Sequence, residues 1–227
     1  MRPEIVFDLD GVLVDTERLK FRAHRAAAEG RGGELDRDLY RRGMGHPHDQ
    51  VIRLFLSASG LETTPAEVEA YERRFRAAYR ELLRSELEPV AGAEELLEAC
   101  RAQGRRLALV TSSDPWMVEI VGERLGWSGR FDAVVTAADV AAEKPDPEPY
   151  RRALDGLGVG ELGAVAVEDT EAGVASAAGA GLPVVAVRHA FNVRHDLGEA
   201  ADVVDSLAPA AGLLARLDRA AAGRPPG

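Results

Sequence analysis

A chain of 227 residues, 46% hydrophobic and 29% charged, has room for one large domain or for a core with a smaller insert. Its net charge of -10 repels phosphate backbones, and its arginines are scattered beside acids instead of forming a basic stripe, which argues against a nucleic-acid partner. The lone cysteine, Cys100, cannot close an internal disulfide, and there is no basic-then-apolar leader or apolar run of about 18 residues, so a cytoplasmic protein with no membrane partner is expected, as a monomer or weak homodimer.

In chain order, residues 4–8 read as an apolar strand. A helix is expected over 17–29, stopped by Gly30, Gly32 and Gly33, and a short one over 34–42. GMGHPHD reads as a loop, and 49–59 as a helix with Val51, Ile52, Leu54, Phe55 and Leu56 on its apolar face. Thr64 caps and Pro65 opens a helix to about Ser85. From Pro89 strands and helices alternate. Helix 92–103 is followed by strand 106–110, helix 115–125, strand 131–137 and a helix from Glu148. Strand 164–169, helix 171–179 and strand 183–187 come next, then a weak strand at 201–205, a helix at 207–220 and a frayed tail.

Short, continuously apolar strands alternating with helices predict an α/β fold, a doubly wound, mostly parallel sheet covered on both faces. The strandless block 16–86 interrupts it after the first strand and predicts an inserted all-helical domain, with residues 1–15 and 87–227 forming the core.

In an open parallel sheet, ligands bind at the carboxyl ends of the strands. There this sequence places Asp8 and Asp10 after the first strand, Thr111, Ser112 and Ser113 after the second, Lys144 beyond the third, and Glu168 and Asp169 after the fourth. Any one of these has a structural explanation, since hydroxyls cap helices and acids favour helix N-termini. Their convergence points to phosphoryl transfer. Carboxylate oxygens from Asp8, Asp10, Glu168 and Asp169 suit a hard dication such as Mg²⁺. With Lys144, that ion would offset the repulsion between an Asp nucleophile and an anionic phosphate. Thr111, Ser112 and neighbouring backbone N–H groups would hold phosphate oxygens, Gly11 lets the backbone turn sharply, and Asp10 can serve as general acid and base. The only lysines are Lys20 and Lys144, a reason to expect that each sits where a guanidinium will not serve.

FDLDGVLVDT, LVTSS, AEKPDPEPY and VEDTEAGVASAAGAG, in that order, resemble the haloacid dehalogenase superfamily, in the helical-cap branch that holds β-phosphoglucomutase and many sugar-phosphate and phosphoglycolate phosphatases. The resemblance covers nearly the whole chain. It implies a Rossmann-like core with a helical cap, and catalytic roles for Asp8 (nucleophile), Asp10 (general acid and base), Thr111 and Lys144. It also implies Mg²⁺ held by Asp8, the Asp10 main-chain carbonyl and Asp169, with Glu168 nearby or ligating. Superfamily members that cleave carbon–halogen bonds lack the second acid, so Asp10 argues against that chemistry. The expected activity is hydrolysis of a small phosphorylated metabolite, a sugar phosphate or phosphoglycolate, through an aspartyl-phosphate. The alternatives are a β-phosphoglucomutase-like isomerase and a catalytically silent ligand-binding protein. The cap is expected to set the substrate. RGMGHPHDQ falls at the mutase specificity loop without a clear match to its phosphate-gripping Arg, and Lys20 stands where the mutase carries a His, so a phosphatase is favoured. Lys20, Arg42 and His46 are the cap's candidate substrate contacts.

Other signals read as structural. His46 and His48 lack a third metal ligand. The G-x-G-x-x-G at 158–163 precedes a strand instead of following one, so it fails the dinucleotide-binding context. Trp116, Trp127 and the tyrosines of the helical block fit a core role, as does Cys100. Arg22 and His24 face either the cleft or solvent.

Overall fold

The structure, a computed structural model, describes residues 2–43 and 48–223. By internal contacts the chain divides into two compact units, Met1–Asp15 with Glu88–Gly227, and Thr16–Leu87.

The first unit is built on a six-stranded sheet of β1 (Glu4–Phe7), β2 (Leu107–Val110), β3 (Ala133–Val135), β4 (Ala164–Glu168), β5 (Val184–Val187) and β6 (Asp202–Val204). The strands lie in the order β3-β2-β1-β4-β5-β6, and every pairing is parallel. β2 and β5 are apolar throughout, and β1 and β4 are apolar except for Glu4 at the start of one and Glu168 at the end of the other, because helices α5 (Ala93–Ala102), α6 (Pro115–Leu125), α7 (Glu148–Leu157), α8 (Glu171–Gly179) and α9 (Ala210–Ala222) cover the sheet. The doubly wound α/β fold expected from the alternation is the fold observed.

The strand order reverses between β1 and β4, which makes their carboxyl ends the switch point of the sheet. Phe7 pairs with Val167, so the next residues, Asp8 and Glu168, emerge side by side. Beyond Asp8 the chain doubles back: the Gly11 N–H donates to the Val14 carbonyl at 2.8 Å, and the N–H groups of Leu13 and Val14 donate to the Leu9 carbonyl.

The second unit packs α1 (Glu17–Glu29), α2 (Arg37–Gly43), α3 (His48–Ala58) and α4 (Pro65–Glu86), and its described residues form no strand. The Thr64 side chain accepts the Glu67 N–H at 3.3 Å with Pro65 in the first turn, as the sequence predicts. α2 starts three residues later than expected because Asp36 caps it, its carboxylate accepting the Leu39 N–H at 2.7 Å. Of the expected loop over 43–49, Gly43 belongs to α2 and His48 and Asp49 to α3, and residues 44–47 lie outside the described residues. β3 is shorter than expected, as suits a strand at the sheet edge. α9 starts after Pro209, whose ring denies a helical conformation to Ala208, and it continues to Ala222, so only residues 224–227 of the expected frayed tail lie outside the described residues.

His24 faces neither solvent nor a cleft. It is buried, its ring stacked on Phe75 at 4.1 Å between centroids and edge-on to Phe55 at 5.2 Å. The Tyr71 hydroxyl donates to the His24 carbonyl at 2.9 Å. Burial draws the His24 imidazole down to about 3, so it is neutral. Arg22 pairs with Glu86.

Candidate active site

Lys144 is the hub of the buried charges at the switch point. Its Nζ donates to Asp8 Oδ1 at 2.5 Å, Glu168 Oε1 at 2.6 Å and the Val110 carbonyl at 3.1 Å. Its ammonium also lies 5.3 Å from the Tyr150 ring centroid. The loop that carries it is held at two points. Glu148 accepts the N–H groups of Ala141 and Ala142, and the Ser176 hydroxyl donates to the Asp146 carbonyl. Three hydrogen bonds and two carboxylates explain how an ammonium can be buried there and keep its proton.

Glu168 is fully buried, and both its oxygens are engaged. Oε1 accepts from Lys144 and from the Tyr150 hydroxyl at 2.9 Å; Oε2 accepts the N–H groups of Asp169 and Thr170 and the Thr170 hydroxyl. α8 comes this close because residue 173 is glycine: a Cβ there would lie 1.9 Å from Glu168 Oε1. Burial raises the Glu168 carboxyl, but the charge and hydrogen bond of Lys144, with the two backbone N–H groups, outweigh it and hold the group below the ordinary carboxylate range. Asp8 moves the other way. Burial pushes its carboxyl well up, Lys144 opposes this, and the charges of Glu168 and Asp169 push it further.

Asp10 and the turn after β2 meet through Ser113, whose hydroxyl donates to Asp10 Oδ2 at 2.7 Å. The Ser113 N–H donates to Thr111 Oγ1 at 3.0 Å, which leaves the Thr111 hydroxyl hydrogen for another acceptor. Thr111 is buried and Ser112 exposed. Gly11 has φ +86°, and a Cβ on it would lie 2.4 Å from Asp169 Oδ2, so close approach as well as the turn requires glycine.

Asp8, Glu168 and Asp169 each bring a carboxylate oxygen within 4.8 Å of the others. The set is all oxygen, one lysine balances three acids, and Asp169 Oδ1 is buried with no hydrogen-bond partner. A hard cation fits these features.

The structure thus brings together Asp8, Asp10, Gly11, Thr111, Lys144, Glu168 and Asp169. Lys20, in α1, is half-buried and donates to Glu17 Oε1 at 3.3 Å; Arg42, in α2, is exposed; both belong to the helical unit. His46 lies outside the described residues. His48 bonds to Glu72 at 2.5 Å, and Cys100 is buried on α5 with its thiol pushed up to about 11 by burial. Three groups at the site, Tyr150, His189 and Asn192, are not among the expected strand-end groups, and Ser113, expected there, had no role of its own. His189 Nε2 lies 2.8 Å from Asp169 Oδ2, and the Asn192 amide donates to the Asp169 carbonyl at 2.7 Å. Both follow β5, where the strand-end rule that singled out Asp8 and Glu168 applies equally well.

The haloacid dehalogenase-like hydrolase family matches residues 5–187. This chain belongs to that family. A phosphorylated carbohydrates phosphatase of Thermotoga maritima is 33% identical over 88% of this chain and 91% of its own length. The β-phosphoglucomutase of Bacillus subtilis is 31% identical over 81% of this chain and 82% of its own length. Among solved structures, CbbY from Rhodobacter sphaeroides in complex with phosphate is 29% identical, covers 92% of this chain and 96% of its own, and superposes with a TM-score of 0.80. The family is one of enzymes, and these relatives include a phosphatase and a phosphoglucomutase. Among the described residues, no helix is long and apolar enough to cross a membrane.

Proposed function

We propose that the chain is a Mg²⁺-dependent phosphoric monoester hydrolase. Its substrate is a small phosphorylated metabolite of the sugar-phosphate or phosphoglycolate class, and Asp8 is its nucleophile. One observation carries the reading: Asp8 stands buried at the switch point, bonded to Lys144, while Asp10 two residues on is held by Ser113. An attacking group and a proton carrier are thereby supplied from one strand end.

In this reading an Asp8 carboxylate oxygen attacks phosphorus, the bond to the substrate oxygen breaks, and Asp10 gives that oxygen its proton. Water then attacks the aspartyl-phosphate, Asp10 takes its proton, the bond between phosphorus and Asp8 breaks, and inorganic phosphate leaves. Lys144 keeps Asp8 oriented and places positive charge beside the incoming phosphate. Thr111, Ser112 and backbone N–H groups near Gly11 supply hydrogen bonds to the phosphate oxygens. Asp8, the Asp10 main-chain carbonyl and Asp169 would hold Mg²⁺, and Glu168, already fully engaged, holds Lys144 in place. Mg²⁺ supplies charge neutralisation for the phosphate oxygens when bound.

The helical unit is read as the inserted cap domain that selects the substrate, with Lys20 and Arg42, and His46 outside the described residues, as its cationic candidates. The identity with the Bacillus subtilis enzyme supports one other outcome, return of the phosphoryl group to a second hydroxyl of a sugar phosphate. A screen of sugar phosphates, phosphoglycolate and nucleotides for phosphate release tests the proposal. Asp8→Asn is expected to reduce turnover by at least about 10⁴-fold, and chelation to abolish it. Full activity after either treatment refutes the reading, and isomer formation that outruns phosphate release makes the enzyme a mutase.

A further inference from the structure

The segment after β5 ties Asp169 down at two places. The Asn192 side chain, 1% exposed, donates through its amide nitrogen to the carbonyls of Asp169 and Val187, each at 2.7 Å. Its side-chain oxygen accepts the His189 N–H at 2.8 Å, so His189 is itself anchored by the residue that anchors Asp169. The His189 ring then has one arrangement. Its Nδ1 accepts the Phe191 N–H at 3.2 Å, which puts the ring hydrogen of the neutral form on Nε2, and Nε2 donates to Asp169 Oδ2 at 2.8 Å.

Asp169 Oδ2 is therefore spoken for, while Oδ1 is buried without a hydrogen-bond partner. Gly11 lets its backbone lie against this pair, since a Cβ there would fall 2.4 Å from Oδ2 and 3.1 Å from His189 Nε2. We infer that His189 is a positioning residue that restricts Asp169 to ligation through Oδ1 alone and so biases the cation site toward Mg²⁺ over Ca²⁺. This rests on the proposed reading of the site as a cation site and adds to it a determinant of ion choice.

The physical reason is ligand geometry. Mg²⁺ requires near-octahedral coordination at about 2.0–2.1 Å, whereas Ca²⁺ accepts six to eight oxygens at about 2.3–2.6 Å and readily takes both oxygens of one carboxylate. A hydrogen bond to Oδ2 takes one of its lone pairs and fixes the direction of the carboxylate, which disfavours the two-oxygen mode. Partners of this kind typically change metal affinity by about 10–100-fold when removed.

The test uses metal-stripped full-length protein and no activity measurement. Mg²⁺ and Ca²⁺ are titrated separately, with binding read by calorimetry and by the thermal denaturation midpoint. His189→Phe keeps a ring but removes the donor; His189→Gln keeps a donor at the same reach. The phenylalanine variant is expected to weaken Mg²⁺ binding by about 10–100-fold and move the ratio of Ca²⁺ to Mg²⁺ affinity at least about tenfold toward Ca²⁺, with the glutamine variant within about threefold of wild type. His189→Leu serves the same purpose if the phenylalanine variant does not fold. An unchanged ratio in the donor-less variant overturns the inference, and so do equal shifts in the donor-less and glutamine variants, which would mark a loop that matters only for folding. A wild-type protein that binds no Mg²⁺ overturns the cation site itself, and this inference with it.

Discussion

The two units handle buried polarity in opposite ways. In the α/β unit the side chains of Asp8, Glu168, Asp169 and Lys144 are all buried at the carboxyl ends of the strands, where each acid shifts the ionisation of its neighbours. In the helical unit the large buried polar side chains, such as His24 and Tyr71, sit among aromatic rings, and burial holds the His24 imidazole and the Tyr71 phenol neutral. Its charges form surface pairs such as Arg73–Glu69 and Arg25–Glu29, four residues apart along a helix. A surface pair adds at most about 1 kcal/mol, whereas a buried charge deprived of its partner costs several times that. Clustered burial of ions is therefore a poor way to stabilise a fold, and it is the feature on which the proposal places the chemistry in the α/β unit.

That contrast can be broken first at its hub. Lys144→Met leaves Asp8 and Glu168 facing each other without a cation and is expected to cost about 3–5 kcal/mol at pH 7 in denaturant titration. The deficit should shrink as pH falls, because protonation of the two carboxyls removes their repulsion. A loss below about 1 kcal/mol would place the trio in the class of surface pairs. Gly173→Ala probes the same trio sterically, since its Cβ would fall 1.9 Å from Glu168 Oε1; a loss of about 2–4 kcal/mol is expected, with activity falling as Lys144 loses its seat.

The helical unit should respond to pH through His24. Its imidazole is lowered to about 3 in the folded protein against an ordinary value of 6.5, so between these limits the unfolded chain binds the extra proton. Stability is then greatest above pH 6.5 and falls as pH drops, by about 2 kcal/mol at pH 5. His24→Phe should flatten that slope in melting curves taken between pH 7 and 5; an unchanged slope would mean that His24 is not buried neutral. The smallest effect is reserved for Lys20→Ala. If the helical unit selects the substrate, KM should rise roughly three- to tenfold with the melting temperature unchanged, and unaltered kinetics would return Lys20 to a helix-surface role beside Glu17.

Much of the site was legible because the parallel fold turns sequence position into spatial position. Asp8, Thr111, Lys144 and Glu168 are far apart in the chain, yet each follows a core strand, and strand ends of one sheet share an edge. His189 and Asn192 follow the same rule and could have been found by extending it to β5. Tyr150 could not. It lies in the first turn of α7, and only the packing of that helix on the sheet turns its hydroxyl into the second donor on Glu168 Oε1.

Local chemistry in the sequence determined the elements and which polar groups follow each strand. Alternating apolar strands and helices specify a doubly wound sheet, Thr64-Pro65 starts a helix, and two acids before Gly11 end a strand. Such signals act over a few residues, within reach of backbone sterics and hydrophobic periodicity. Tertiary structure alone decided which polar groups are buried and what each one touches. His24 was indistinguishable from a surface residue until α3 and α4 closed around it, and nothing in a run of letters shows that Asp169 gives one oxygen to His189 and leaves the other bare. Burial and hydrogen-bond partnership are properties of surfaces brought together from distant segments, and they set the ionisation and orientation on which the chemistry depends.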